Sequence, residues 1–272
     1  MIVWISSYPK SGNTWIRLFL SSYLNKKSNL SFDNIIGDDF PSIKLLKNLN
    51  VDFKKFNDLT KNWVLAQEYL NLNGKLNFLK THNALVTHEG TPFTNSENTL
   101  ATIYIVRDPR DVAVSYSHHL GKTQKQIVEM MFDRTNHEYV TYPEKFFRSV
   151  ICTWSDHYKS WKMFIRNRKI FIVRYEDLIN NTYKTFEKIA IYLQETCLIN
   201  FDESKLKKSI EETSFSKISK LEKENGFNES FNKNVTFFRE GKIGSWKKEL
   251  DKTLEDKIRN NFKEEMQELG YL

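Results

Sequence analysis

The segment Tyr8-Pro9-Lys10-Ser11-Gly12-Asn13-Thr14-Trp15 concentrates groups able to hold an anion. It precedes a stretch in which Trp15, Leu18, Phe19 and Tyr23 recur at helical spacing. A helix N-terminus presents unpaired amides and the positive end of its dipole, and a glycine there lets the main chain approach an anion closely. Lys10 adds a mobile charge, and Ser11 and Thr14 add hydroxyl donors. The loop is a candidate cradle for phosphate or sulfate; the plainer alternative is a polar turn with a solvated lysine. It is not GxxxxGK[ST], because Lys10 precedes Gly12 rather than following a second glycine, and no magnesium-binding Asp stands at the end of a strand.

The elements around this loop follow from patterning. Residues 2–7 are apolar and β-branched and read as a first strand; residues 77–81, 101–107 and 169–174 read as three more. Asp108-Pro109 is a helix start, with Asp as N-cap and Pro at the first helical position, and that helix ends near Gly121. Helices are expected over 144–165, with Trp154, Tyr158 and Trp161 on one face, and over 182–194, with Phe186, Ile189, Ala190 and Leu193 on another. The lysine-rich stretch 205–225 reads as a solvated helix and loop. Residues 25–63 and 120–145 are less regular and are expected to be loops over an active site. Strands alternating with helices predict an α/β fold: a single domain, residues 1–272, with a central parallel sheet flanked by helices on both faces. Sites in such sheets gather at the carboxyl ends of the strands, where Arg107 ends a strand and Ser115 lies two turns into the next helix. Arg grips a phosphate bidentately and Ser adds a short donor; alternatively Arg107 pairs with Asp108 or Asp111.

The 272 residues, 40% hydrophobic and 14% aromatic, suffice for one large core. A net charge of +7 favours an anionic partner, yet no basic stripe, zinc finger or RNA-binding aromatic motif points to nucleic acid. Cys152 and Cys197 have no metal-ligand spacing and read as buried thiols in a reducing compartment. No His, Cys and carboxylate cluster suggests a metal. The N-terminus lacks a signal-peptide pattern and no apolar run approaches the roughly 20 residues of a membrane span. The expected location is cytoplasmic.

Four segments resemble the sulfotransferases that use 3′-phosphoadenosine 5′-phosphosulfate (PAPS). YPKSGNTW is similar to the family's 5′-phosphosulfate motif, with Asn13 where Thr is common. IYIVRDPRDVAVSYSHH resembles its 3′-phosphate motif, which assigns Arg107 and Ser115 to that phosphate. FLKTH resembles the catalytic segment, implying His82 as the base and Lys80, with Lys10, as stabilisers of transferring charge. FFREGKIGSW resembles the C-terminal loop and implies cofactor contacts at Phe238, Arg239, Glu240 and Gly241; Glu240 stands where Lys is usual and Ser245 where Asp is usual. Trp15, Tyr175, Thr213 and Phe215 match the adenosine clamp.

The resemblance implies a P-loop NTPase-like sulfotransferase fold, binding of PAPS and its product 3′-phosphoadenosine 5′-phosphate (PAP) without a metal, and sulfuryl transfer to a hydroxyl on a small-molecule, lipid or glycan acceptor. A base with a pKa near neutrality suits that proton transfer, and His is the side chain that has one. His119 is the next candidate, ahead of His88, His118, His137 and His157. The residues after Trp246 do not match the dimer motif of the animal cytosolic enzymes. A P-loop kinase, a nucleic-acid binder or a fold that binds nucleotide without catalysis are the competing functions.

Overall fold

The computed structural model describes residues 1–24, 30–135, 137–142, 145–164, 169–227 and 236–272, with residues 137–142 and 145–148 by backbone alone. The chain opens with β1 (Ile2–Ser7), whose six residues are all buried, and turns into α1 (Asn13–Leu24). Short pieces follow: β2 (Asp38–Asp39), α2 (Ile43–Asn48), α3 (Phe56–Lys61) and α4 (Trp63–Asn71). Next come β3 (Asn77–Thr81), the small hairpin β4 (Thr87–His88) and β5 (Thr91–Pro92), and β6 (Thr99–Val106). After α5 (Pro109–Leu120) and α6 (Gln124–Phe132), a second hairpin pairs β7 (His137–Tyr142) with β8 (Lys145–Val150). The chain continues through α7 (Trp154–Lys162), β9 (Ile170–Arg174), α8 (Tyr175–Asn180) and α9 (Thr182–Cys197). It closes with α10 (Glu203–Glu212), α11 (Phe215–Asn225), α12 (Trp246–Glu249), α13 (Lys252–Asn261) and α14 (Lys263–Glu268).

One parallel sheet, ordered β2-β3-β1-β6-β9, organises the chain. β1 sits in its middle, with Ser6 in register with Thr81 of β3 and Tyr104 of β6. Alternate residues of β1 serve two cores. Ile2 and Trp4 pack with α4 to α7 and the C-terminal helices, while Val3 and Ile5 pack with α1, α9 and α10. Cover on both faces is why these strands read as unbroken apolar runs. Trp4 alone meets the rings of Phe40, Phe93 and Trp161 at 5.3, 5.4 and 6.2 Å. Burying a side chain of that size stabilises by roughly 3 kcal/mol.

The start of α5 matches expectation: Asp108 accepts from the Arg110 N–H at 2.9 Å, Pro109 opens the helix, and Gly121 closes it with φ 64°. Residues 144–165 do not form one helix. Lys145–Val150 is a strand paired with His137–Tyr142, and Cys152, with φ 60°, breaks any helix there. The helix starts only at Trp154, where Thr153 Oγ1 caps the Asp156 N–H at 2.9 Å. Aromatic and β-branched residues in both segments favour the pleated pairing. The stretches expected as loops carry α2, α3 and α6, the last opened by a capping box between Thr123 and Gln126; residues 25–29 lie outside the described part. Residues 205–225 hold two helices, α10 and α11, and bury Leu206 and Ile218.

Candidate active site

The sheet order sets the carboxyl ends of β1, β3, β6 and β9 along one edge, each carrying a predicted site residue: Lys10 after β1, His82 after β3, Arg107 after β6, Tyr175 after β9. The β1–α1 loop is strained at two points. Lys10 has φ 64°, and Gly12 has φ 102°. A Cβ on Gly12 would lie 2.6 Å from Cδ2 of Tyr175, so the glycine serves both the turn and the close approach of the first side chain of α8. The Gly12 carbonyl accepts from the Trp15 N–H at 3.1 Å and starts α1. Ser11 is fully buried and its Oγ has no hydrogen-bond partner among the described residues, while Thr14 is buried at the helix start. Leaving a buried hydroxyl unpaired is costly, so this donor fits a loop shaped for an anion. The Asn13 side-chain amide donates inward, to the Ile5 carbonyl at 3.0 Å and Ser7 Oγ at 3.3 Å.

His82 leans back onto this loop. Its Nδ1 lies 2.8 Å from the Ser7 carbonyl and 3.3 Å from Ser7 Oγ. A carbonyl only accepts, so Nδ1 carries the hydrogen, and whenever the ring is neutral its lone pair is at Nε2. Lys80, on β3, pairs with Asp39 of β2 at 3.0 Å. Lys10 points its ammonium at the Phe237 ring, 4.0 Å from the centroid, and the His119 ring meets Phe237 edge-on at 5.8 Å. His88 bonds Asn57, His118 bonds Glu249, and His157 is fully buried; of His137 only the backbone is described.

Arg107 ties two loops together. Its guanidinium donates to the Lys10 carbonyl at 3.3 Å and the Lys242 carbonyl at 3.0 Å, and stacks 4.3 Å from the centre of the Tyr175 ring. It pairs with neither Asp108 nor Asp111. Asp108 takes Arg110, and Asp111 takes the amides of Gly244 and Trp246 at 2.7 and 3.1 Å. Arg107 Nε is buried without a partner among the described residues, a second donor fitting a nearby anion. Ser115 lies half-buried on α5.

The aromatic clamp assembles from distant pieces. Trp15 Nε1 donates to the Thr213 carbonyl at 2.8 Å, and its ring meets Tyr175 at 6.3 Å and Phe186 at 5.7 Å. Thr213 is fully buried and spends its hydroxyl on the Ser209 carbonyl at 2.7 Å. Phe215 lies against Gly241, where φ is 60° and a Cβ would strike the ring. The Phe238 ring packs in a small core with Leu18 and Ile218. The exposed Arg239 chelates Glu249 at 3.1 and 3.3 Å, with Glu240 at 3.9 Å. Burial would raise the Glu249 carboxyl, but the bonds from Arg239 and His118 outweigh it and hold it below its usual range. Sequence reasoning missed Glu222, which accepts from the Phe237 and Phe238 amides at 2.5 and 2.9 Å, and Phe237 itself. Only FF before REG hinted at the latter. Among the described residues no cluster of His, Cys, Asp and Glu could hold a metal. Of the thiols, Cys197 is buried as expected. Cys152 is only half-buried, yet burial and the nearby Asp156 push it up to about 11.

The sulfotransferase-domain family model matches residues 2–270. The chain belongs to the sulfotransferase family. Among similar sulfotransferases, Sulfotransferase 1B1 of Mus musculus is 26% identical over an alignment of 279 positions, which covers 96% of this chain and 81% of the relative. Flavonol 3-sulfotransferase of Flaveria bidentis is 23% identical, covering 94% of this chain and 81% of the relative. Among solved structures, mouse sulfotransferase SULT7A1 complexed with PAP aligns with TM-score 0.66 at 20% identity, covering 97% of this chain and 83% of that one. Retinol dehydratase in complex with retinol and PAP aligns with TM-score 0.63 at 20% identity, covering 97% and 81%. The fold is thus the P-loop-like sulfotransferase fold. No helix among the described residues is long and apolar enough to cross a membrane.

Proposed function

We propose that this sulfotransferase moves a sulfuryl group from PAPS to the hydroxyl of a small-molecule, lipid or glycan acceptor, as a single cytoplasmic domain spanning the chain. The observation that carries the mechanism is the 2.8 Å contact from His82 Nδ1 to the Ser7 carbonyl. It ties the ring to the strand that ends in the anion loop and directs the basic lone pair away from that strand. PAPS supplies the sulfuryl group and a leaving phosphate. His82 Nε2 takes the acceptor's hydroxyl proton. Lys80 and Lys10 neutralise charge gathering on the transferring oxygens, for which Lys10 leaves Phe237 and Lys80 shifts from Asp39 toward the anion. The Ser11 hydroxyl and the amides of residues 12–14 hold the 5′-phosphate side. Arg107, Ser115, Arg239 and the Gly241 amide hold the 3′-phosphate, and Trp15, Tyr175 and Phe215 enclose the base.

The fit of this group rests on the unpaired donors at Ser11 and Arg107 and on the cradles at Gly12 and Gly241. The solved neighbours hold PAP, and one holds retinol and another androsterone, which agrees with a hydroxyl-bearing acceptor. Calorimetry with PAP, ATP and AMP tests the cofactor: PAP should bind far more tightly than the others, and equal binding would return the chain to the kinase or nucleic-acid readings. His82→Ala should lower turnover by about a hundredfold to ten-thousandfold while PAP affinity persists. Retained turnover would move the base to His119. Activity should survive EDTA.

A further inference from the structure

We infer that His157 is a positioning residue for the reacting histidine, holding the His82 main chain through a buried Tyr104–His157–His82 relay. His157 lies on α7 and is fully buried, with Tyr8 edge-on at 5.6 Å and Tyr104 at 5.7 Å. Its Nε2 lies 3.1 Å from the His82 carbonyl and its Nδ1 lies 2.8 Å from the Tyr104 hydroxyl. The carbonyl can only accept, so Nε2 carries the hydrogen. Nδ1 then accepts from the Tyr104 O–H. Both nitrogens are paired, in one tautomer, inside an apolar core.

An imidazole in such a place needs a reason, because an apolar ring would pack there without needing partners. The reason is visible in what α7 does to the segment after β3. One turn beyond His157, Trp161 Nε1 donates to the Asn83 carbonyl at 2.9 Å. Ser160 Oγ accepts from the Leu85 N–H at 2.9 Å. From the hairpin side, the Val150 carbonyl accepts from the Ala84 N–H and the Val150 N–H donates to Asn83 Oδ1, both at 2.7 Å. Successive main-chain groups from 82 to 85 are therefore held by α7 and the end of β8, while the His82 ring is held by β1 through Ser7. The ring has two fixed ends, so the direction of Nε2 is set from outside the site. Burial pushes His157 down to about 3 and keeps it neutral, against the bond to the His82 carbonyl, which raises it; Tyr8, Tyr104 and His82 are the titratable groups that face it.

This inference rests on the reading that His82 is the base, and the experiment separates the two. His82→Ala, His157→Phe and His157→Gln are compared by kcat, acceptor KM and PAP affinity. His157→Phe should lower kcat on the order of 10- to 100-fold, as small misplacements of a reacting group do, with PAP affinity within about twofold of wild type. His157→Gln, whose amide reaches the same carbonyl, should recover most of the loss. Turnover in His82→Ala overturns the base assignment itself. An inactive His82→Ala beside an unchanged kcat in His157→Phe overturns only the relay, as does an equal loss in the Phe and Gln variants. If His157→Phe does not fold, imidazole nitrogen NMR of the wild-type protein decides: the relay requires a neutral, Nε2-protonated His157 from pH 8 to 5. A ring protonated at Nδ1, or charged at pH 6, refutes it.

Discussion

The two ends of the nucleotide site are built on different plans. The loop from Tyr8 to Gly12 is set by its own strand: Asn13 bonds back to Ile5 and Ser7, Trp15 bonds back to Gly12, and the flanking β1 is buried throughout. Among the described residues, no strand leads into the loop from Phe237 to Trp246. Carboxylates from other elements hold it, Glu222 at one end, Asp111 at the other and Glu249 on Arg239 between. Each charge-assisted bond to the buried Glu222 and Asp111 contributes about 1.5–3 kcal/mol, and the more exposed Arg239–Glu249 pair less. The first end is preorganised by the hydrophobic core, and the second by acids whose hold depends on their charge. Arg107 touches both, through the carbonyls of Lys10 and Lys242.

Gly12→Ala attacks the core-built end and should have the largest effect. It forces a side chain into positive φ and against the Tyr175 ring, and calorimetry should show PAP affinity falling by at least about a hundredfold. A smaller loss would mean that Tyr175 yields and that this end is softer than its burial suggests. Arg107→Ala removes the bridge. It should weaken 3′-phosphorylated nucleotides by roughly tenfold to a hundredfold and leave AMP nearly unaffected, and equal weakening would remove its assigned role.

Acid should separate the two ends as well. His157, under the core-built end, has its folded pKa depressed to about 3 by burial, below the unfolded value near 6.5. The unfolded chain therefore binds a proton that the folded chain refuses, and stability falls as pH drops below about 6.5. The loss is about 1 kcal/mol between pH 6.5 and 5.5, measurable by urea titration, and His157→Gln should flatten it. Glu240→Lys, on the acid-held end, should have the smallest effect: PAP binding tightened severalfold, with a steeper salt dependence. No change would mean that Glu240 lies too far from the 3′-phosphate to matter.

Most of the site's cations and its glycines were legible because each sits at a strand–loop–helix junction, where a short window specifies both the element and its end. Lys10, Gly12 and Arg107 are of this kind. The clamps were not legible. Glu222 and Asp111 look like ordinary solvated acids on helices, and their partners lie 16 and 133 residues away. The same distance hid the role of His157, which stood only as a weak rival for the base until the fold buried it. The misplaced helix over 144–165 failed for a related reason: aromatic residues at Phe146 and Phe147 serve a helix face or a hairpin equally well, and pairing with a second strand decides between them.

The sequence by itself determined the strand and helix periods, the breaks at Gly12, Asp108 and Gly121, and the order in which the anion-holding segments arrive. Those are local properties, carried by dihedral preference and apolar spacing over a few residues. Tertiary structure alone decided which way Asn13 turns, that Lys10 rests on Phe237, that Arg239 is shared with Glu249, and which nitrogen of His82 bears the hydrogen. Each of these depends on a partner brought near by the parallel sheet, and direction in a hydrogen bond exists only once both partners are in place.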